Sequence, residues 1–160
     1  REDFKEEFTK SVVKNNIKNN QEFDENAKND FIKGAKIAYE TIITDFSDND
    51  NKLTESKPLL SKEMYDQFNE ALKERSTRGH FAEITFIGVN SATIKEHKKI
   101  DHFFKVTVDF VSEVITCIRD KEKNIVSGDP KKIKKIYDTW VFSKDIRSTN
   151  PNWQLVDTLT

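Results

Sequence analysis

One stretch, from Asp101 to Asp120, constrains the fold more than any other part of the chain. Between Phe104 and Ile118 the even positions are mostly apolar, whereas the odd positions are mostly polar or charged. The even positions are Phe104, Val106, Val108, Phe110, Ser112, Val114, Thr116 and Ile118. This period of two predicts a strand with one buried face. Because it is much longer than the usual five or six residues, we expect it to bend around the element that it covers.

The remaining patterns predict helices first and strands afterwards. Helical patterns cover about 24–46 and 61–75, and strand patterns cover 81–94, 137–142 and 153–159. Asp24 or Asn26 is expected to cap the first helix and Ser61 the second, and a bulge or bend is expected near Gly88 or Asn90. This order favours an α+β fold, in which an antiparallel sheet curls into a cone around the first helix.

A leading segment, residues 1–22, is predicted to be separate from a domain at 23–160. Its apolar residues recur at helical spacing, which predicts an amphipathic helix. These residues are Phe4, Phe8, Val12, Val13 and Ile17. Residues 1–22 have a net charge of zero, with five basic and five acidic residues, which is below that of typical binders of anionic lipid. The helix therefore has two interpretations: it packs on this domain or on a second copy of the chain, or it lies on a membrane surface.

Composition excludes some classes of protein. Charged residues make up 34% of the chain and the net charge is −1, so the sequence gives no argument for nucleic-acid binding. No apolar run approaches eighteen residues, so no membrane-spanning helix is predicted. The single cysteine, Cys117, excludes an internal disulfide and is expected to be buried. The absence of an initiator Met and of a signal-peptide pattern leads us to expect a fragment or a processed form.

Few residues are candidates for chemistry. The three histidines lack the spacing of a metal site, and no glycine-rich phosphate loop is present, so no metal or cofactor is predicted. An enzyme interpretation rests on Asp138 and Asp157, which fall among apolar residues of predicted strands. Burial would raise the pKa of Asp138 and make it a proton-abstracting base, with Tyr39 or Tyr137 as hydrogen-bond donor. The sequence favours the structural interpretation, in which these acids accept ordinary hydrogen bonds.

Two further sets of residues are candidates for binding. A basic patch consists of Lys131, Lys132, Lys134 and Lys135. It is either a solvated hairpin end or a surface for anionic lipid headgroups or an acidic partner. An apolar pocket for an acyl chain or a partner peptide is predicted if the even face of the long strand points inward. Its lining would be Phe104, Val106, Val108, Phe110, Trp140 and Phe142.

Four segments, in this order, resemble the Tim44-like family. They are FDENAKNDFIKGAKIAYETIITDF at 23–46, KPLLSKEMYDQF at 57–68, FVSEVITCIRDKEKNIVSGDP at 110–130 and DTWVFSKDIRSTNPNWQLVDT at 138–158. The resemblance implies a nuclear-transport-factor-two-like cone with a large pocket. The compact ending and the Gly128-Asp129-Pro130 loop look more like the bacterial members than the mitochondrial ones.

The resemblance also implies a function. The namesake of the family is a matrix-side scaffold of the mitochondrial import motor, which holds a chaperone at the inner-membrane translocase. By resemblance we expect a noncatalytic scaffold, peripheral on the cytoplasmic or matrix-equivalent face of an inner membrane. Its expected partners are anionic phospholipid such as cardiolipin and membrane or chaperone proteins. The family's membrane attachment falls on residues 2–20 here, although the acidic first turn departs from a good lipid binder.

Overall fold

The computed structural model describes residues 23–149 and 152–159. Within them the elements are α1 (Glu25–Ser47), a 3-10 turn (Lys57–Leu59), α2 (Lys62–Thr77), β1 (Phe81–Ile100), β2 (Phe103–Arg119), β3 (Ile125–Gly128), β4 (Lys134–Asp145) and β5 (Gln154–Thr158). The two helices pack against a curved, open antiparallel sheet, which confirms the predicted α+β cone. The predicted leading helix lies outside the described residues.

Helix α1 begins where the sequence predicts. Asp24 adopts an extended conformation, and its side chain accepts a hydrogen bond of 2.9 Å from the backbone N–H of Ala27. This satisfies one of the unpaired donors of the first turn. The stripe of Phe31, Ala35 and Ile42 is 0–2% exposed, so this face of the helix lies on the sheet and forms the centre of the core.

Strand β2 is the axis of the sheet. It pairs with β1 along one edge and with β4 and β3 along the other, in the order β1-β2-β4-β5 with β3 beside the end of β2. Its even residues are buried from Phe104 to Val114, as the alternation predicts. Beyond that point Cys117 is buried instead of Thr116, which is only half-buried. The inward face predicted from the sequence is therefore confirmed for most of the strand.

Strand β1 is longer than predicted. It continues past Ile94 to Ile100, so it pairs with β2 over nearly the whole length of that strand. Its register shifts three times, around Ile87, Asn90 and Lys95. Each bulge inserts an unpaired residue and changes which side chains face the core, so the pattern of alternation is interrupted although the strand continues. The break predicted near Gly88 or Asn90 is confirmed as bulges within one strand.

Helix α2 and the preceding loop close the other end of the core. The Ser61 hydroxyl accepts a hydrogen bond of 3.2 Å from the N–H of Met64, as expected of an N-cap, and the Ser61 N–H donates to the carbonyl of Leu155 in β5. Arg75, in the last turn of α2, donates to the backbone carbonyls of Phe46 at 2.7 Å and Asp48 at 3.1 Å. These bonds join the carboxyl end of α1 to α2 and satisfy carbonyls that lack helical partners.

Candidate functional site

The inner face of the sheet carries a buried polar cluster, formed by Tyr39 of α1, Ser112 of β2 and Asp138 of β4. The Tyr39 hydroxyl donates to Asp138 Oδ2 at 2.5 Å and lies 2.9 Å from Ser112 Oγ. Because a phenol has a single proton, Ser112 is the donor in the second bond. Asp138 pairs with Phe110, which lies two residues before Ser112 in β2. The carboxylate is therefore close to the Ser112 hydroxyl on the same face of the sheet.

Burial dominates the electrostatics of this cluster. Tyr39 is 0% exposed, and its ring stacks on Phe110 with a centroid distance of 4.3 Å and tilts against Trp140 at 4.6 Å. Desolvation, reinforced by the hydrogen bond to Asp138, raises the pKa of Tyr39 well above its ordinary value. Desolvation also raises the pKa of Asp138, and the Tyr39 hydrogen bond partly opposes this effect. The cluster can hold a proton on Asp138 more tightly than an exposed carboxyl does.

Of the two acids and two tyrosines proposed from the sequence, the structure brings together only Asp138 and Tyr39. Asp138 lies inward with Tyr39 as donor, whereas Tyr137 is 67% exposed on the opposite face of β4. Asp157 is exposed, because the register between β4 and β5 shifts after Val141 and the bulge at Val156 turns the next side chain outward. Asp157 therefore does not belong to the cluster. Ser112, which the sequence pattern identifies only as a position of the long strand, does belong to the cluster.

The six residues predicted to line a pocket share one environment. All of them lie on the inner face of β2 and β4 and are 0–7% exposed. They are Phe104, Val106, Val108, Phe110, Trp140 and Phe142. Phe31 of α1 packs edge-on against Phe142 at 5.8 Å, and Tyr39 covers Phe110. In the described part of the chain the space above these residues is thus filled by α1, and their use as a ligand pocket stays a prediction.

The predicted basic patch lies on the β3–β4 loop and the start of β4. All four of its lysines are exposed: Lys131, Lys132, Lys134 and Lys135. Ile133, 58% exposed, lies between them along the chain, and Tyr137, 67% exposed, follows on the outer face of β4. Lys132 and Lys134 also line a cavity of about 200 Å³ together with Ser127 and Asp129. We call this surface the lysine patch.

A second basic surface, which sequence reasoning missed as a unit, lies at the turn between β1 and β2. It combines exposed cations, Lys98, Lys99 and Arg147, with the exposed apolar side chains of Ile100 and Phe103, and it includes the half-buried His102. Ile100 is 45% exposed and pairs across the turn with Phe103, which is 37% exposed. We call this surface the hairpin end. The sequence signal for this surface is the pair of large apolar residues, Ile100 and Phe103, that flanks Asp101-His102.

A polar groove of about 390 Å³ lies near the opposite end of β2. Arg119 donates to the Glu83 carboxylate at 3.1 Å and to the backbone carbonyl of Lys123 at 3.0 Å. The Arg119 hydrogen bond, followed by that of Cys117, lowers the pKa of Glu83. These bonds fix the Asp120–Asn124 turn, so the groove is explained by local structure.

Two kinds of site are absent from residues 23–149 and 152–159. No group of three or more His, Cys, Asp or Glu residues there could hold a metal ion. In the same residues no helix is long and apolar enough to cross a membrane.

The fold and these surfaces define a class of protein: a small nuclear-transport-factor-two-like domain whose inner face is a packed core and whose outer surface carries basic patches. The Tim44-like domain family matches residues 9–160, and the chain belongs to this family. The predicted resemblance to this family is therefore confirmed, whereas the likeness to its bacterial members stays a prediction.

Two solved structures that are similar to this chain share little sequence with it. A periplasmic fragment of TraM is 9% identical, with a TM-score of 0.51, over 78% of this chain and 92% of that one. The intermembrane space region of the chloroplast protein ARC6 is 12% identical, with a TM-score of 0.46, over 79% of this chain and 93% of that one. A comparison with curated proteins gave no match.

Proposed function

We propose that this domain is a noncatalytic scaffold that works at a membrane surface and holds an acidic or membrane-bound partner there. One observation carries the proposal: two basic surfaces with exposed apolar residues lie at opposite ends of the same strand pair. β2 and β4 pair without a register shift from Phe103 and Asp145 at the hairpin end to Val114 and Lys134 at the lysine patch. A scaffold needs two such separated contact surfaces.

The distance between the two surfaces supports simultaneous binding. Eleven residue steps separate the ends of the paired region, which corresponds to about 35 Å along the strands. This separation is several times the screening length of physiological salt, about 8 Å, so the two surfaces act independently. Membership of the Tim44-like family supports the peripheral membrane role, on the cytoplasmic or matrix-equivalent face of an inner membrane.

Vesicle co-sedimentation of the full chain tests the membrane role. We expect binding to vesicles rich in phosphatidylglycerol or cardiolipin, weaker binding at physiological salt than at low salt, and no binding to phosphatidylcholine vesicles. Failure to bind anionic vesicles at low salt would contradict the proposal. Comparison with a form that starts at Phe23 measures the contribution of the predicted leading helix and its residues Phe4, Phe8, Val12, Val13 and Ile17.

An isomerase or dehydratase that uses Asp138 as base is the second candidate function. The raised pKa of Asp138 and its contact with Tyr39 favour it. Against it, the Tyr39 hydroxyl is fully buried under α1 and already bound on both sides, so a substrate has no free donor there. An acyl chain or peptide entering the same region would likewise have to displace α1. Under the scaffold proposal Asp138→Asn binds anionic vesicles as the unchanged chain does.

Self-association through the leading segment stays a prediction, because that segment lies outside the described residues. Light scattering of the full chain at several concentrations tests it. A mass that rises with concentration for residues 1–160, but not for a form that starts at Phe23, would support the prediction.

A further inference from the structure

The leading segment joins the domain near the hairpin end and far from the lysine patch. Phe23, the first described residue, packs its ring against His97 at 5.2 Å and against Phe104 at 6.4 Å. Both partners lie within a few residues of the turn between β1 and β2. The 22 residues that precede Phe23 therefore join the domain at the hairpin end. The lysine patch lies about 35 Å away along β4.

The composition of the hairpin end fits a lipid–water interface. Ile100 and Phe103 lie side by side on the outer face, and Lys98 pairs with Lys105 in the next row. Such an arrangement places apolar side chains where acyl chains begin and ammonium groups at the level of the phosphates. An acidic peptide would complement the lysines but would leave the apolar pair at the very tip uncovered.

Acidic groups at the same end limit the charge without reversing it. Five exposed or half-exposed cations, Lys95, Lys98, Lys99, Lys105 and Arg147, stand against Glu96, Asp101 and Asp145. Glu96 pairs with Lys98 at 3.6 Å, and Asp145 lies 3.8 Å from His102. The excess of two positive charges favours an anionic surface, while binding still needs the apolar pair.

From these observations we infer that the hairpin end is the part of the domain that inserts into an anionic membrane, through Ile100 and Phe103, and that the lysine patch points away from it toward a partner. This inference rests on the proposed membrane role. The inference specifies the orientation of the domain. Strands β2 and β4 extend away from the membrane surface, and Phe23, where the leading segment ends, lies near the bilayer.

Site-specific labelling tests the orientation. The one native cysteine, Cys117, is 2% exposed, so an environment-sensitive dye attached to Phe103→Cys reports on the tip. Ile133→Cys in the lysine patch is the matched control, since it is also exposed and apolar in the unchanged chain. With full-length chain and phosphatidylglycerol vesicles we expect a blue shift at position 103 and none at 133. A shift at 133, or no shift at 103 while the protein binds, would overturn the inference.

Removal of the apolar pair gives a second measurement. Ile100→Ser with Phe103→Ser should weaken binding to anionic vesicles about tenfold, because roughly two fifths of each side chain is available for burial. The control variant, Ile133→Ser with Tyr137→Ser, should bind unchanged, and circular dichroism establishes that both variants fold. Equal binding by all three proteins would overturn the inference while leaving the membrane role intact. If the unchanged chain does not bind, the proposed function itself fails.

Discussion

The hydroxyl of Tyr39 offers the most informative single perturbation of this fold. Tyr39→Phe keeps the ring that stacks on Phe110 and removes only the atom that joins α1 to β2 and β4. Loss of a hydrogen bond to a carboxylate costs about 1.5 to 3 kcal/mol, and we take the lower end because Asp138 is only half-buried. Ser112, which is 0% exposed, also loses its acceptor, at about 1 kcal/mol. We therefore expect a total loss of about 2 to 3 kcal/mol in the free energy of unfolding at pH 7.

The same substitution predicts a dependence on pH. Burial raises the pKa of folded Asp138 above its unfolded value of 3.8, so the folded state holds the proton more tightly. The stability that this carboxyl contributes is present below pH 3.8 and is lost as the pH rises through the raised folded value. The Tyr39 hydrogen bond opposes that loss because it favours the ionised form. Its removal should therefore raise the pKa of Asp138 further and cost more at pH 7 than at pH 4.

Urea denaturation at both pH values and NMR titration of the Asp138 carboxyl measure these effects. Tyr137→Phe is the matched control, since Tyr137 is 67% exposed, and we expect it to change stability by less than about 0.5 kcal/mol. A Tyr39→Phe effect as small as that of the control, or one larger at pH 4 than at pH 7, would refute the reasoning. An unperturbed Asp138 pKa would at the same time remove the argument for this residue as a catalytic base.

Two other substitutions test the described contacts by chemical denaturation. Arg75→Ala should cost about 2 kcal/mol, because the carbonyls of Phe46 and Asp48 lose a charged donor at the end of α1; a loss below about 0.5 kcal/mol would contradict this role. Gly128→Ala should cost at least about 2 kcal/mol, because its φ of +82° and a backbone oxygen 2.5 Å from the added Cβ both oppose a side chain. Gly88→Ala, where nothing lies within 4 Å of the Cβ, is the control and should change stability little; equal effects at both glycines would count against the steric argument.

Local chemistry in the sequence sufficed to predict much of this fold. The cap at Asp24, the stripe from Phe31 to Ile42 and the alternation of β2 each depend on neighbours within a few positions, so pattern and structure agree. The failures arise where a bulge changes the phase of a strand. Asp157 faces outward because Val156, which separates it from Leu155, has no partner in the pairing with β4.

The site was harder to predict because its members are distant in sequence. Tyr39 and Asp138 are 99 positions apart, and nothing local identifies which of several tyrosines will meet the acid. No local feature distinguishes Ser112 from other strand residues, and only the pairing of β2 with β4 brings it close to Asp138. The hairpin end depends in addition on where Phe23 docks, which follows from aromatic contacts that no periodicity encodes.

The difference between the two long edges of β2 bears on how a scaffold of this kind would work. Along β1 the register shifts three times, so that edge is bent and more strongly twisted. Along β4 twelve consecutive pairs run without a shift, from the hairpin end to the lysine patch. A regular ladder of this length fixes both the spacing and the relative orientation of the two surfaces. A partner held at the lysine patch would thus lie at a fixed distance from a membrane that contacts the hairpin end, and this distance is set by the regular pairing of β2 with β4.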